Sequence, residues 1–282
     1  MRQRRGFTLV EVLIAMTIMG IVTGAVYKLL INSQRLSVAQ AEQASLQSNV
    51  RTGSLVVPNE LRELNTVTGG TVPQNDILTK TADLIEYRAM RGLGFACQTA
   101  AAGTTTLRIA KSSWTGLRDP AASSDSLYVF VDGDPQIVTD DAWQQVTVTA
   151  VSSGANCGGA ASFDLTVGAL PAVALNTPVR LYEVMELKLY QNGGQWWLGA
   201  RSRKTGEATQ PVLGPLTAGG FALTYLDGNG AVTADNRAVK SIGVTVRGLT
   251  DDAVRANGGS GALGHPEETL VTQVLLRNSI RP

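Results

Sequence analysis

Glu11 is the only ionisable side chain between Phe7 and Val26, and the stretch around it, RRGFTLVEVLIAMTIMG, is otherwise apolar past its two arginines. A carboxylate deep in a membrane helix costs roughly 2.5 to 3.5 kcal/mol on insertion scales, so it needs a partner or a reason to be there. Other residues capable of chemistry are sparse. His265, the single histidine, precedes Pro266 in a glycine-rich stretch with no GxSxG elsewhere, so a histidine-based triad is not expected. Cys97 and Cys157 belong to no CxxC and no Cys/His cluster, which argues against metal binding by thiolates. Two acidic clusters carry hard oxygen ligands of the kind calcium takes: Asp132-Gly133-Asp134 with Asp140 and Asp141, and Asp227-Gly228-Asn229 with Asp235. Asp132, Asp134, Asp227 and Asn229 would be the ligands. Neither cluster places a glutamate at the EF-hand offset, and Asp-Gly and Asn-Gly are turn formers first, so turns are the expectation and calcium the alternative. No other cofactor and no catalytic residue is indicated.

The element that must position Glu11 is a helix. From Phe7 through Tyr27 it rises ~1.5 Å per residue, roughly 30 Å in all, which matches the hydrocarbon thickness of a bilayer. Arg2, Arg4 and Arg5 on its N-terminal flank favour a cytoplasmic N-terminus, placing the chain after Lys28 outside the cytoplasm, with Lys28 and Arg35 snorkelling to the far headgroups. A cleaved secretory signal fits poorly. Its A-x-A match, Ala39-Gln40-Ala41, lies about ten residues past the apolar run, and the run exceeds the roughly 7 to 15 residues of a usual signal core. A buried helix of a soluble protein would show a polar face, and Phe7 to Gly20 has none. Beyond Ile31, apolar or small residues recur at steps of three and four (Leu36, Ala39, Leu46, Val50, Val57), with Gln43 and Gly53 as blemishes, so the helix is expected to continue as an amphipathic stem to about residue 65. Pro58 predicts a kink, or a break and restart, near that position.

After about residue 71 the period changes to two. Strands are expected over Leu84–Ala89, Thr105–Ala110, Leu127–Val131, Gln145–Val151, Phe163–Val167, Val179–Tyr190, Gln195–Arg201, Phe221–Leu226, Ala238–Arg247 and Thr269–Leu276. Asn192-Gly193-Gly194 is a hairpin signal, and Ser152–Ala161 and Ala256–Gly264 read as surface connectors. The class is therefore α+β: a membrane-spanning helix (7–31) with its amphipathic continuation, packed on an antiparallel β-rich globular domain over 71–282. Lys and Arg number 24 against 23 Asp and Glu, a formal charge of +1, so no global field points to nucleic acid or acidic lipid. The small basic run Arg201, Arg203 and Lys204 reads as a solvated loop, with DNA contact the alternative. Trp196-Trp197 should send one ring to the core and one to solvent or a partner.

Arg5-Gly6, then Phe7-Thr8-Leu9-Val10-Glu11 and Leu13, Ile14 and Ala15, closely resembles the processing site of type IV prepilins and type II secretion pseudopilins. The resemblance covers about twenty residues in fixed register. A diffuse likeness of Phe221–Asp227, Val244–Val246 and Leu276–Asn278 to PilW and J-type minor pilins accompanies it. The resemblance implies a leader over 1–6, cleavage after Gly6 by a prepilin peptidase, N-methylation of Phe7, and Glu11 as an assembly residue. Cleavage creates an α-amine of ordinary pKa about 7.7 to 8.0, and the acid of one subunit is thought to neutralise the amine of another as filaments assemble. It implies a structural, non-enzymatic minor pilin of a type IV pilus. Its partners would be other minor and major pilins, the peptidase and an inner-membrane assembly platform. The body would be periplasmic before assembly and on the pilus or cell surface afterwards. A J-type pseudopilin is the runner-up, and a membrane-anchored binding module the rival of another class. The proline many major pilins carry along this segment is missing between Phe7 and Val57; Gly20 and Gly24, spaced as GxxxG, are the remaining weak points or close-approach points. In the oxidising compartment this topology implies, Cys97 and Cys157 could close a loop worth roughly 3 to 5 kcal/mol, or stay as free small core residues. Titration with about millimolar calcium is expected to leave the melting temperature unchanged; a rise would assign an ion to one of the acidic clusters.

Overall fold

The computed structural model describes residues 8–66, 75–133, 136, 141–255 and 261–277. A single helix, α1 (Leu9–Arg62), leads into antiparallel strands: β1 (Ile77–Lys80), β2 (Leu84–Phe95), β3 (Thr106–Ala110), β4 (Thr115–Gly116), β5 (Asp125–Val131), β6 (Ala142–Cys157), β7 (Ala160–Val167), β8 (Pro178–Asn192), β9 (Gln195–Ser202), β10 (Gln210–Leu226), β11 (Ser241–Leu249), β12 (Val254–Arg255), β13 (Leu263–Gly264) and β14 (Glu267–Leu275). The chain divides into two compact units, Met1–Asn49 with Leu249–Glu268, and Val50–Gly248 with Thr269–Pro282.

In the first unit a two-stranded ribbon, β12 against β13, accompanies the helix. The Glu42 carboxylate accepts the amides of Asp251 and Asp252 at 3.1 and 3.3 Å. The ribbon's base is closed where the Thr250 amide donates to the Pro266 carbonyl and His265 Nδ1 lies 2.8 Å from the Thr250 carbonyl. His265 is thus a structural tether in a loop.

In the second unit the last turns of α1 lie against a twelve-stranded sheet. Val50, Val57, Leu61 and Leu64 are buried at helical spacing. Gly53, a blemish in the sequence pattern, is a point of close approach: a methyl group there would stand 2.3 Å from Leu213 Cδ2 and 3.5 Å from Val246 Cγ1. The helix does not break at Pro58; one helix runs from Leu9 to Arg62. Proline removes one backbone bond, but the buried Val57 and Leu61 on either side hold the turn against the sheet. The end is capped from afar. The Arg277 amide donates to the Arg62 carbonyl, and Asn65 and Asp76 exchange backbone and carboxylate bonds at 2.8 Å each.

Strands β2, β8, β5, β6, β7 and β3 pair in that order, and a bridge between Ala96 and Ile109 closes the strip on itself. Inside lies a core of Leu107, Leu127, Val129, Val148, Leu165 and Leu181 with their neighbours. The second half of β8 continues outward through β9, β10 and β11 to β14. Ten sequence-derived strands all fall on this framework, with corrections. Ser152–Ala161 is not a connector: β6 and β7 extend through it as an exposed arm turning at Gly158 and Gly159 (φ 63 and 91°). The Asp164 carboxylate ties the arm, accepting from Ser162 Oγ at 2.8 Å and from Asn156 Nδ2. β10 begins at Gln210 rather than Phe221, because bulges let a stretch broken by glycine and proline pair with β9 and β11 in turn. β11 starts at Ser241, with Ala238 turned back onto the Asp235 carbonyl. Leu263-Gly264 is strand rather than connector. Asn192-Gly193-Gly194 makes the β8–β9 turn, with both glycines left-handed.

Gly53→Val is expected to destabilise the protein by roughly 1 to 3 kcal/mol through overpacking against Leu213, measured by chemical denaturation of the detergent-solubilised chain. Unchanged stability would mean that the helix does not approach β10 this closely.

Candidate assembly site

The helix opens on a reciprocal cap. Thr8 Oγ1 accepts the Glu11 amide at 3.3 Å, while the Glu11 carboxylate accepts both the Thr8 amide and the Thr8 hydroxyl at 3.0 Å. This is a capping box, Thr-x-x-Glu, with Thr8 at the N-cap and Glu11 at the third helical position. The Glu11 carboxylate therefore satisfies one backbone amide at the helix start together with the hydroxyl of the capping threonine, besides carrying charge. Past it, the apolar residues from Leu9 to Leu30 are exposed, and none of the most apolar eighteen-residue window is covered by the rest of the chain. Such a surface is too large to face water and is long enough to cross a bilayer. Added methyl groups at Gly20 and Gly24 would meet nothing within 4 Å, so the small-residue face is open along its length. Gly6 and Phe7 lie outside the described residues.

The far end of α1 is fixed by charge. Arg91 on β2 donates to Glu60 of the helix at 3.0 Å and to Glu183 on β8 at 3.2 Å. Arg118 joins Glu183 at 3.2 Å and grips Asp125 on β5 with both terminal nitrogens, at 2.6 and 2.5 Å. Acid and base alternate through five side chains, and Asp125 is fully buried. Burial works to raise the Glu183 pKa, yet the hydrogen bonds and charges of Arg91 and Arg118 hold it below the ordinary carboxylate value. Asp76 is different. Burial pushes its carboxyl up to about 7 despite the Asn65 amide and the nearby Arg88 and Arg180. Arg88 lies over the rings of Tyr182 and Tyr128, 5.7 and 6.0 Å from their centroids.

The remaining sequence candidates are dispersed. Cys97 and Cys157 are joined by a disulfide with Cα atoms 5.4 Å apart, tying the β6–β7 arm to the end of β2. Asp227 accepts the amides of Asn229 and Ala231 at 2.8 and 2.9 Å, a turn in which the carboxylate serves the backbone. Asp235 accepts the Arg237 amide at 2.9 Å. Asp132 is exposed, and Asp134 and Asp140 lie outside the described residues. Among the described residues no three His, Cys, Asp or Glu side chains gather as metal ligands. The basic run is spent on internal partners: Arg201 on Glu186 at 2.7 Å, Arg203 near Glu86 and Glu186, and Lys204 on the carbonyls of Ala122 and Val148 at 2.9 and 3.2 Å. It forms no free cationic patch. Trp196 and Trp197 are both half-buried, so the expected division into core and solvent rings does not hold; Trp197 packs over Gly214.

Residues 1–27 match the family model of the prokaryotic N-terminal methylation motif. The chain thus carries the N-terminal segment of type IV pilin-like proteins and pseudopilins, an apolar helix joined to an antiparallel β-rich domain. Neither the curated proteins nor the solved structures give a match. Sequence reasoning missed the cap at Thr8, although Thr-x-x-Glu before an apolar run was its visible signal. It also missed the ion chain and Asp76, which no local pattern announces.

Arg91→Met is expected to cost roughly 3 to 5 kcal/mol, since Glu60 and Glu183 would each lose a charge partner in a largely buried site. Denaturation of the purified variant checks this. For Asp76, whose folded pKa of about 7 stands above its ordinary 3.8, the folded state holds the extra proton between those values. Stability should therefore fall as pH rises from about 4 to about 7, with a slope from this group of at most ~1.4 kcal/mol per pH unit. Asp76→Asn should remove that component and be the more stable form at alkaline pH. A wild-type curve identical to that of the variant would contradict the buried, protonated carboxyl.

Proposed function

We propose that this protein is a minor pilin of a type IV pilus: a non-enzymatic subunit processed after Gly6, held in the inner membrane by α1, and incorporated into a filament with other pilins. The observation that carries the reading is the uncovered apolar helix bearing Glu11 four residues after Phe7, within the matched motif and ahead of a β-rich body. Among the described residues nothing covers the apolar part of this helix, so lipid before assembly and neighbouring helices after it are the surroundings that suit it. Glu11 then has two successive roles. In the lone subunit it closes the capping box with Thr8. In the filament the methylated amine of a neighbour's Phe7 takes the same carboxylate, exchanging two bonds from neutral donors for one in which donor and acceptor are both charged. The chain's size favours a minor over a major subunit, by analogy alone. Its disulfide suits an extracytoplasmic body. A J-type pseudopilin of a type II secretion system would share all of this chemistry and differ in the machine served.

Mass spectrometry of the protein from its native host should find an N-methylated Phe7 at the mature terminus; a retained leader, or cleavage at Ala39-Gln40-Ala41, would overturn the reading. Glu11→Ala should leave processing largely intact and sharply lower incorporation into filaments, scored by immunoblotting sheared pili. Wild-type incorporation would remove the role given to the carboxylate. A subunit still fully functional with residues 7–31 exchanged for an unrelated anchor would favour an independent membrane-anchored binding module.

A further inference from the structure

The ribbon β12–β13 has a chemistry that the pilin reading does not use. Its outgoing strand starts beside Glu42, which holds the amides of Asp251 and Asp252, and arrives at Arg255 beside Gln34, Arg35 and Val38, where helix and ribbon enclose a groove of about 250 Å³. The strand therefore runs back along the helix toward the apolar segment. At ~1.5 Å per residue, Arg35 stands ~6 Å and Val38 ~10 Å beyond Ile31, whereas Glu42 stands ~16 Å beyond it. The headgroup layer on each side of the hydrocarbon is roughly 5 to 7 Å thick. Charge is sorted along this axis: Arg35 and Arg255 lie at or near headgroup depth, Lys28 starts about 4 Å to the hydrocarbon side of Ile31 and reaches the headgroups by snorkelling, and Glu42, Asp251 and Asp252 lie beyond them. An apolar side chain accompanies the cations, since Leu263, 64% exposed, pairs with Arg255 across the ribbon.

We propose that the face of the ribbon formed by the paired residues Arg255 and Leu263, together with Arg35, is a membrane-surface contact that binds the phosphates of anionic lipid headgroups on the far side of the bilayer and sets Leu263 among them. The proposal rests on the anchoring part of the reading above, since it needs α1 to cross the bilayer. Its consequence is orientational: a single helix permits rotation and tilt, and a second contact beside it fixes which side of the unassembled subunit faces the membrane. Phosphate recognition falls to two exposed guanidiniums, Arg255 being braced on the ribbon by a 3.2 Å bond to the Gly261 carbonyl.

The test uses the full chain with Leu263→Cys, labelled with an environment-sensitive fluorophore, reconstituted one copy per nanodisc of phosphatidylcholine with or without phosphatidylglycerol. The native cysteines are already paired. With phosphatidylglycerol the label should shift to the blue and be quenched by headgroup-labelled lipid. Arg35→Gln or Arg255→Gln should each reduce the bound fraction's equilibrium about fivefold, and salt near 1 M should have the same sense of effect. Arg35→Gln leaves the ribbon's own bonds intact, so loss of the shift there is not a folding defect. A label equally exposed to aqueous quencher in both lipids would overturn the proposal. Protection found only when several copies share one membrane would also overturn it, naming a second subunit as the cover. A chain extractable from the membrane by alkali would instead refute the anchoring reading beneath it.

Discussion

The structure depends on an apolar surface that the described residues leave uncovered. From Leu9 to Leu30 the helix is exposed on every side, although the same helix, 23 residues past Leu30, is packed tightly enough to leave no room for a methyl group at Gly53. One continuous rod therefore has two solvents. Its last turns are buried in protein, and its first turns require lipid or other helices, because a surface of this extent in water would drive association at once. Assembly is the physical consequence of that incomplete burial, and a polar group inside it has to be accounted for.

Glu11 is accounted for locally. Within the lone chain its carboxylate is occupied by the backbone and hydroxyl of Thr8, so the cap gives partners to the Thr8 and Glu11 amides at a helix start set in a poor solvent. The carboxylate is held by two hydrogen bonds from one threonine, not by a buried ion pair. The opposite end of the helix is built on the contrary principle. Glu60 is drawn into a chain of alternating charges that runs through Arg91, Glu183 and Arg118 to the buried Asp125, where each ion has partners and none is free to exchange cheaply. The helix is thus held by one threonine at its start and by a network of ions where it meets its own sheet.

The fixing explains why Pro58 is harmless. Considered alone, a proline after Val57 disfavours helix, and a break was the sensible expectation. In the fold, Val57 and Leu61 are buried against the sheet, the Arg62 carbonyl is capped by the Arg277 amide, and Asn65 is pinned by Asp76. These contacts join residues 11 to more than 200 positions apart, and their sum exceeds one lost backbone bond. The same logic governs β10, where glycine and proline obscure alternation from Gln210 onward while bulges on two neighbours preserve the pairing.

What the sequence determined by itself was whatever rests on period and local chemistry. The apolar run set the helix and its medium; alternation located the ten strands; Asp-Gly, Asn-Gly and Gly-Gly marked turns; and the register of Gly6, Phe7 and Glu11 identified the motif. Even the capping box was written there, in Thr8 and Glu11. Tertiary structure alone decided which strands close around the core, that Ser152–Ala161 is an arm, that the basic run at Arg201 is internally neutralised, and that Arg91 bridges residues 31 and 92 positions away. The division has one cause. Periodicity reports which side of an element seeks burial, and only the assembled sheet determines what it is buried against.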